Sequence, residues 1–273
     1  MTSAAEPGDP LHALYAQEGG VHQVFSAKVA DYAASRPDYP AALFESIAGV
    51  CKLAGGAVIA DIGAGTGLLT QGWLRQGYQV VAVEPNPAMR LAADSLLGAT
   101  PGYRSVAGCA EAIPLPPASV DLLTAAQAFH WFEIEQARAE CLRVLRPHGQ
   151  VALIWNDRDG DDPLNMELDA LFAEFGGARR AALVAHEDRA TVPRFFGASV
   201  PLELSWPHAH ALDEAGLACL VFSRSYMPPR HSPDGKQALL RLRGIFQRNA
   251  VSGRVQIRYT TLAILGRPAA SAA

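Results

Sequence analysis

Acidic side chains flank a glycine-rich segment at a spacing that suits nucleotide binding. Asp61 follows a short apolar run, residues 63–67 then read Gly-Ala-Gly-Thr-Gly, and Glu84 ends a second apolar run. Glycines let the backbone turn sharply and approach a ligand that a side chain would push away. A helix that begins after the turn directs free N–H groups at the ligand, which favours a negatively charged group. Glu84 could accept two hydrogen bonds from a ribose diol.

The sequence around these residues predicts two strands and a helix that carry them. Residues 57–60 form the apolar run of a buried strand, a helix is predicted from Leu68 to Gln76, and residues 80–83 form a second strand. Strand, glycine turn, helix and strand make half of a nucleotide-binding sheet. A dinucleotide fingerprint would place its third glycine one residue later, and a P-loop would require Gly-Lys-Ser/Thr. The spacing therefore disfavours a nicotinamide-dependent oxidoreductase.

The glycine turn resembles that of a known enzyme family. The pattern D-x-G-x-G-x-G at residues 61–67, with Glu84 closing the next strand, resembles the class I S-adenosylmethionine-dependent methyltransferases. Two later segments match the same family: 108–115, Gly-Cys-Ala-Glu-Ala-Ile-Pro-Leu, and 145–149, Leu-Arg-Pro-His-Gly. Residues 25–40 contain Tyr-Ala-x-x-Arg-Pro-x-Tyr-Pro. This phrase resembles the N-terminal signature of a small-molecule branch that includes trans-aconitate methyltransferase-like proteins.

The resemblance implies a fold and a domain organisation. We expect an α/β fold with a doubly wound, mostly parallel seven-stranded sheet that is Rossmann-like. Residues 1–20 are predicted to be a flexible tail, and residues 21–273 a single methyltransferase domain. Within it, residues 21–53 would form lid helices, and residues 157–197 a helical insertion after the fifth strand that covers the substrate site.

The resemblance also implies the cofactor and its contacts. S-adenosyl-L-methionine would be the methyl donor and S-adenosyl-L-homocysteine the product. Glu84 would hold the ribose, the glycine turn the methionine end, and the segments after the second and third strands the adenine. Arg36 could instead form a surface ion pair, and Met89 could be a core methionine. The predicted cofactor-binding residues are Tyr32, Arg36, Asp61, Gly63, Ala64, Gly65, Thr66, Glu84, Pro85, Asn86, Met89, Ala110, Glu111 and Gln127.

The acceptor pocket is predicted from residues at strand ends and in the lid. Transfer from a sulfonium depends on positioning and on exclusion of water, and it requires a base only when the nucleophile arrives protonated. His130 is the candidate base, and its alternative is a structural or orienting role. Trp131 beside it is interpreted as a pocket wall. The predicted substrate-binding residues are Phe25, Tyr32, His130, Trp131, Ser225 and Tyr226.

Composition narrows the class of protein. Hydrophobic residues make up 49% of the 273 residues, charged residues make up 18%, and the net charge is −4. A core can therefore be buried, and no basic field would attract nucleic acid. The four cysteines form no C-x-x-C pair, which indicates free thiols. With no signal peptide and no membrane-spanning run evident, we expect a cytoplasmic protein without a membrane partner.

Two further features of the sequence concern metal binding and the charge of the acceptor. His208 and His210 could share a strand face, but the sequence offers no third ligand, so no metal is expected. From Leu220 onward nine basic residues stand against one acid, Asp234. This imbalance could favour an anionic acceptor such as a carboxylate, and the alternative is solvated surface arginines.

The function predicted from the sequence is methyl transfer to a small organic molecule. The alternatives are a protein that binds S-adenosylmethionine without methyl transfer and a nucleic-acid methylase. The acidic composition and the missing Asn/Asp-Pro-Pro-Tyr-type motif disfavour the nucleic-acid enzyme. The acceptor, the methylated atom and the oligomeric state stay open at this point.

Overall fold

Two compact units make up the chain. The computed structural model describes residues 35–186 and 189–269, together with Lys28, Val29 and Asp31. The sheet unit consists of the described residues within Arg36–Asp162, Arg189–Ala211 and Gln256–Ala273. The helical unit consists of those within Met1–Ser35, Pro163–Asp188 and Leu212–Val255. The predictions for the tail and for the lid residues Phe25 and Tyr32 lie outside the described residues.

The sheet contains seven strands in the order β3-β2-β1-β4-β5-β7-β6. The central strand β1 pairs in parallel with β2 and with β4, and β4 pairs in parallel with β5. The strand β7 runs antiparallel to β5. The strands are β1 (Val58–Ile62), β2 (Gln79–Val83), β3 (Tyr103–Val106), β4 (Val120–Ala126), β5 (Leu145–Arg158), β6 (Leu202–Leu212) and β7 (Val255–Gly266).

Apolar residues cover both faces of this sheet, as a mostly parallel sheet requires. On one face, Leu43, Ile47 and Trp73 belong to a buried cluster with β1 and β5 residues. On the other face, Cys141 and Phe195 belong to a second cluster. The helices of this unit are α1 (Ala41–Cys51), α2 (Leu68–Arg75), α3 (Pro87–Leu97), α4 (Ile134–Val144) and α6 (Val192–Phe196). The predicted doubly wound α/β fold is confirmed.

The fifth strand is longer than the sequence suggested. The sequence pattern predicts a helix up to Arg146 and a strand from Gln150 to Trp155, whereas β5 already begins at Leu145. Leu145 pairs with Val120 and Gln150 pairs with Leu122, so the register shifts between these pairs. The proline and glycine at 147 and 149 occupy this irregularity, where ladder hydrogen bonds are not required.

The helical unit contains α5 (Pro163–His186), α7 (Glu214–Phe222) and α8 (Pro233–Asn249). Gly177, at φ 53° and ψ −144°, breaks α5 into two helical parts. Asp213 stands before an apolar run, where its residue type predicts a helix cap. It caps α7, because its Oδ1 accepts a hydrogen bond from the Gly216 N–H at 2.7 Å. No helix among the described residues is both long and apolar enough to cross a membrane.

Four of the eight arginines from Leu220 onward form ion pairs within the helical unit. Arg230 pairs with Asp31 at 2.8 Å, Arg241 with Glu174 at 2.6 Å and Arg243 with Glu214 at 3.1 Å. Arg248 pairs with Glu167. The guanidinium of Arg224 lies over the Phe172 ring, 5.5 Å from its centroid. These four C-terminal arginines therefore pair with acidic residues from earlier parts of the sequence, which accounts for much of the charge imbalance along the chain.

Candidate active site

The candidate site lies where β1, β2 and β4 end. Because these strands are parallel, their carboxyl ends meet at one edge of the sheet, where folds of this type bind ligands. The segments that follow the three strands carry the glycine turn, Glu84 and the residues from Gln127 to Trp131. The sheet order therefore brings together three of the segments that the sequence had singled out.

Backbone hydrogen bonds fix the glycine turn against β2. The N–H groups of Gly63 and Ala64 both donate to the carbonyl oxygen of Val83, at 2.8 and 3.2 Å. Gly63, Gly65 and Gly67 have φ values of 68°, 58° and 85°, which side-chain-bearing residues rarely adopt. The turn therefore requires glycine at these positions for backbone reasons alone.

Two of these glycines differ in their surroundings. A Cβ on Gly63 would lie 2.6 Å from the Ala128 Cβ, so the glycine turn and the segment after β4 are in direct contact. A Cβ on Gly65 would have no described protein atom within 4 Å. The backbone at Gly65 therefore faces space that a ligand can enter.

Asp61 supports the turn from inside the protein. It is 1% exposed, and its Oδ2 accepts a hydrogen bond from Thr70 Oγ1 at 2.6 Å. Its Oδ1 accepts from Thr124 Oγ1 at 3.0 Å. Burial raises the pKa of the Asp61 carboxyl to about 6. The hydrogen bonds from Thr70 and Thr124 lower this pKa, whereas the negative charge of Glu84 raises it further. The predicted contact between Asp61 and the methionine end of the cofactor stays a prediction.

The raised pKa of Asp61 makes stability pH-dependent. The unfolded chain loses this proton near the ordinary pKa of about 3.9, whereas the folded chain keeps it up to about 6. The folded state binds more protons between these values, so the free energy of unfolding falls as pH rises. A pKa rise of this size corresponds to about 3 kcal/mol.

The variant Asp61→Asn removes this titration. We expect the unfolding free energy of the wild type, relative to Asp61→Asn, to fall by about 2–3 kcal/mol between about pH 4 and about pH 7. Urea denaturation of both proteins at several pH values measures the difference, in which the other titrating groups cancel. A difference that stays constant with pH would contradict the raised pKa.

Glu84 joins the glycine turn to the segment that follows β2. Its Oε2 accepts a hydrogen bond from the Gly65 N–H at 2.9 Å, and its Oε1 accepts from the Asn86 N–H at 2.8 Å. The side chain is 8% exposed. A carboxylate oxygen can accept more than one hydrogen bond, so these two bonds from the backbone are compatible with further ones from ligand hydroxyls. Arg90 Nη1 donates to the backbone oxygens of Glu84 and Pro85, at 2.7 and 3.0 Å, which fixes this segment further.

The predicted adenine-side residues have defined local roles. Asn86 caps α3, because its Oδ1 accepts from the Ala88 N–H at 2.9 Å and the Met89 N–H at 3.3 Å. Met89 and Ala110 are buried. Glu111 Oε1 accepts from the Glu133 N–H at 2.8 Å, at the start of α4. This bond uses one acceptor site of the carboxylate and is compatible with a contact between Glu111 and adenine. That contact stays a prediction.

Gln127 directly follows β4 and has an uncommon backbone conformation. Its φ is 56°, in the left-handed region. The Gln127 N–H donates to the Ile154 carbonyl oxygen at 2.9 Å, and its Nε2 donates to the Asn156 carbonyl oxygen at 3.3 Å. Left-handed residues other than glycine cluster at functional sites, where neighbouring structure holds them.

An aromatic 3₁₀ turn, Phe129–Trp131, follows directly. Phe129 anchors the turn in the core through edge-to-face contacts with Trp155, at 6.2 Å between ring centroids, and with Phe195, at 5.3 Å. His130 and Trp131 are half-buried, and their ring centroids lie 4.9 Å apart. The backbone of this turn is therefore held firmly while two of its rings remain partly accessible.

Three further predicted residues are assigned to one or the other unit. Arg36, half-buried, begins the sheet unit. Ser225 and Tyr226 belong to the helical unit, where Tyr226 packs edge to face on Phe172 at 5.8 Å. Their predicted roles stay predictions.

The sequence did not reveal the polar partners of the site. Thr70 and Thr124, which bond Asp61, and Arg90, which holds the Glu84 segment, were not predicted. One signal existed for Thr124, because a polar residue within a buried strand needs a hydrogen-bond partner.

Comparison with known proteins leads to the same family. A family model described as a methyltransferase domain matches residues 60–153. An uncharacterized methyltransferase of Mycobacterium tuberculosis is 38% identical over 202 residues, which cover 74% of this chain and 76% of the relative. The chain belongs to the class I S-adenosylmethionine-dependent methyltransferases. The assignment of this methyltransferase to the trans-aconitate-like branch stays a prediction.

Solved structures share the fold of this methyltransferase. A provisionally assigned type II methyltransferase from Anaeromyxobacter dehalogenans is similar with a TM-score of 0.57 and 25% identity, covering 85% of this chain and 97% of the other. A provisionally assigned methyltransferase from an antibiotic biosynthesis pathway of Anabaena variabilis has a TM-score of 0.55 and 22% identity. It covers 85% of this chain and 98% of the other.

The described residues of this methyltransferase fit an adenosyl cofactor. Gly65 leaves space beside the turn, and the Glu84 carboxylate lies next to it with acceptor sites that suit a ribose diol. The start of α3 at Asn86 follows directly. The glycine turn, Glu84 and the segment after it would thus hold the cofactor.

Proposed function

We propose that this methyltransferase transfers a methyl group to a small organic molecule by in-line displacement, with positioning as the main catalytic contribution. The contact between Gly63 and Ala128 supports this proposal most strongly. It joins the turn that would hold the methyl donor to the segment that carries His130 and Trp131. Donor and acceptor would therefore meet beside two aromatic side chains.

The residues of the chain contribute binding, orientation and exclusion of water. S-adenosylmethionine supplies a methyl group that is already activated on a sulfonium. Glu84 fixes the ribose of the cofactor. The rigid glycine turn orients the methionine end of the cofactor beside it. The half-buried rings of His130 and Trp131 remove water from the acceptor side. The paired arginines of the helical unit give no support to an anionic acceptor, so the proposal includes no charge on the acceptor.

A labelling experiment tests the small-molecule acceptor. The protein is incubated with S-adenosylmethionine carrying a labelled methyl group and with a cell extract, which is then separated by size. We expect label in the low-mass fraction, and much less label there with the Glu84→Gln variant. Label found in protein or nucleic acid instead would overturn the proposal.

His130 is expected to orient the acceptor rather than to remove a proton. In that case His130→Gln raises KM for the identified acceptor and lowers kcat by less than about tenfold, because loss of a general base would cost about 100-fold or more. Steady-state kinetics over a range of pH distinguish the two roles. A loss of about 100-fold in kcat, together with loss of the acidic limb of the profile, would contradict this expectation.

A further inference from the structure

A chain of polar groups runs along the carboxyl edge of the sheet from β4 to β6. Gln127 Nε2 donates to the carbonyl oxygen of Asn156 at 3.3 Å. Asn156 is paired with Thr261 across β5 and β7, and Thr261 Oγ1 donates to Asn156 Oδ1 at 2.6 Å. Thr261 Oγ1 also lies 3.2 Å from His208 Nδ1. This chain of polar groups therefore extends across β4, β5, β7 and β6, and it begins at Gln127 in the candidate active site.

Counting protons shows which tautomer of His208 can donate a hydrogen bond to Thr261. A hydroxyl has one proton to donate. Thr261 donates this proton to Asn156 Oδ1, so its oxygen can only accept a hydrogen bond from His208 Nδ1, through a lone pair. His208 can donate to this lone pair only in the tautomer that carries its proton on Nδ1.

The surroundings keep this ring neutral and in place. Burial, followed by the nearby His210, lowers the pKa of the His208 ring, while Asp38 acts in the opposite direction. The ring is therefore mainly neutral at neutral pH. It stacks on the Tyr259 ring with 5.3 Å between centroids and 22° between planes. Thr261 is 0% exposed, so its hydroxyl depends on its protein partners.

Gln127 requires such support. Its left-handed conformation is unfavourable for a residue with a side chain and persists only where surrounding contacts fix it. One of these contacts is the carbonyl of Asn156, whose side chain is held in turn by Thr261 and His208.

We propose that His208 is a positioning residue for methyl transfer, which acts through Thr261 and Asn156 to hold Gln127 beside the glycine turn. The inference rests on the proposed function only in that Gln127 borders the cofactor. His208 touches neither cofactor nor acceptor in this role.

Matched variants separate the hydrogen bond from the packing. His208→Phe keeps a ring on Tyr259 but removes the donor, and Thr261→Val removes the hydroxyl at nearly constant volume. We expect each to weaken S-adenosylhomocysteine binding about tenfold, and the double variant to be no weaker than either one by more than about twofold. His208→Asn, which retains a donor near Nδ1, and the control His210→Phe should each stay within about threefold of the wild type. Titration calorimetry measures the affinity of the five variants and of the wild type.

Nuclear magnetic resonance of the wild type with ¹⁵N-labelled histidine reads the ring directly. We expect the proton of His208 on Nδ1, and a shift of that resonance when S-adenosylhomocysteine is added. A proton on Nε2, wild-type affinity in His208→Phe, or losses that multiply in the double variant would each overturn the inference. If label enters macromolecules in the extract experiment while these readouts hold, only the small-molecule proposal fails.

Discussion

Replacing Glu84 with glutamine is expected to weaken S-adenosylhomocysteine binding by about 30-fold or more. The carboxylate accepts from the N–H groups of Gly65 and Asn86, and it would also accept from the ribose. An amide keeps one oxygen and directs the hydrogens of its NH₂ group toward the other N–H. Hydrogen bonds to charged groups contribute about 1.5–3 kcal/mol each, and about 1.4 kcal/mol corresponds to a tenfold change in affinity. Titration calorimetry measures this change.

Asp121→Asn is the matched control for Glu84→Gln. Asp121 also accepts a backbone hydrogen bond, from the Val58 N–H at 2.8 Å, but near the amino end of β4. We expect this variant to lose stability and to keep the affinity of the wild type within about twofold. Equal weakening by both variants would contradict a specific role of Glu84 in binding the cofactor.

Substitution of Gly63 by alanine is expected to disrupt the turn itself. The new Cβ would lie 2.6 Å from the Ala128 Cβ, and φ is 68° at this position. Overpacking in a tight contact costs about 1–3 kcal/mol, and a left-handed side-chain-bearing residue about 1–2 kcal/mol. We therefore expect Gly63→Ala to lower the free energy of unfolding by about 3 kcal/mol, measured by urea denaturation, and to abolish detectable cofactor binding.

Gly65→Ala is the counterpart at the same turn. Its Cβ would meet no described protein atom within 4 Å, so only the left-handed backbone, at φ 58°, costs about 1–2 kcal/mol. We expect a smaller loss of stability than in Gly63→Ala, together with weakened binding, because the methyl group enters the space that the ligand needs. Wild-type affinity in Gly65→Ala would mean that the cofactor does not approach this backbone.

The parts of the site that depend on neighbours in sequence could be predicted. The glycine turn and Glu84 were recognisable because strand, turn and following strand lie within 30 residues of one another and each has a local pattern. The fold followed from these patterns and from the family resemblance, and it is confirmed. The capping role of Asp213 was also readable, because a helix cap needs only local geometry.

The parts that depend on sheet order could not be predicted. Asn156, His208 and Thr261 are far apart in the chain and meet only because β7 lies between β5 and β6. The ion pairs between arginines and acidic residues could not be predicted for the same reason. Arg241 and Glu174 carry no mutual signal in sequence, so the charge imbalance suggested a substrate where the structure has ion pairs.

A crystal structure with S-adenosylhomocysteine tests the central claim most directly. We expect the ribose hydroxyls to lie about 3 Å from the Glu84 carboxylate oxygens, with the ligand passing beside Gly65. A ligand bound elsewhere, or a Glu84 carboxylate that makes no contact with the ribose, would contradict the account.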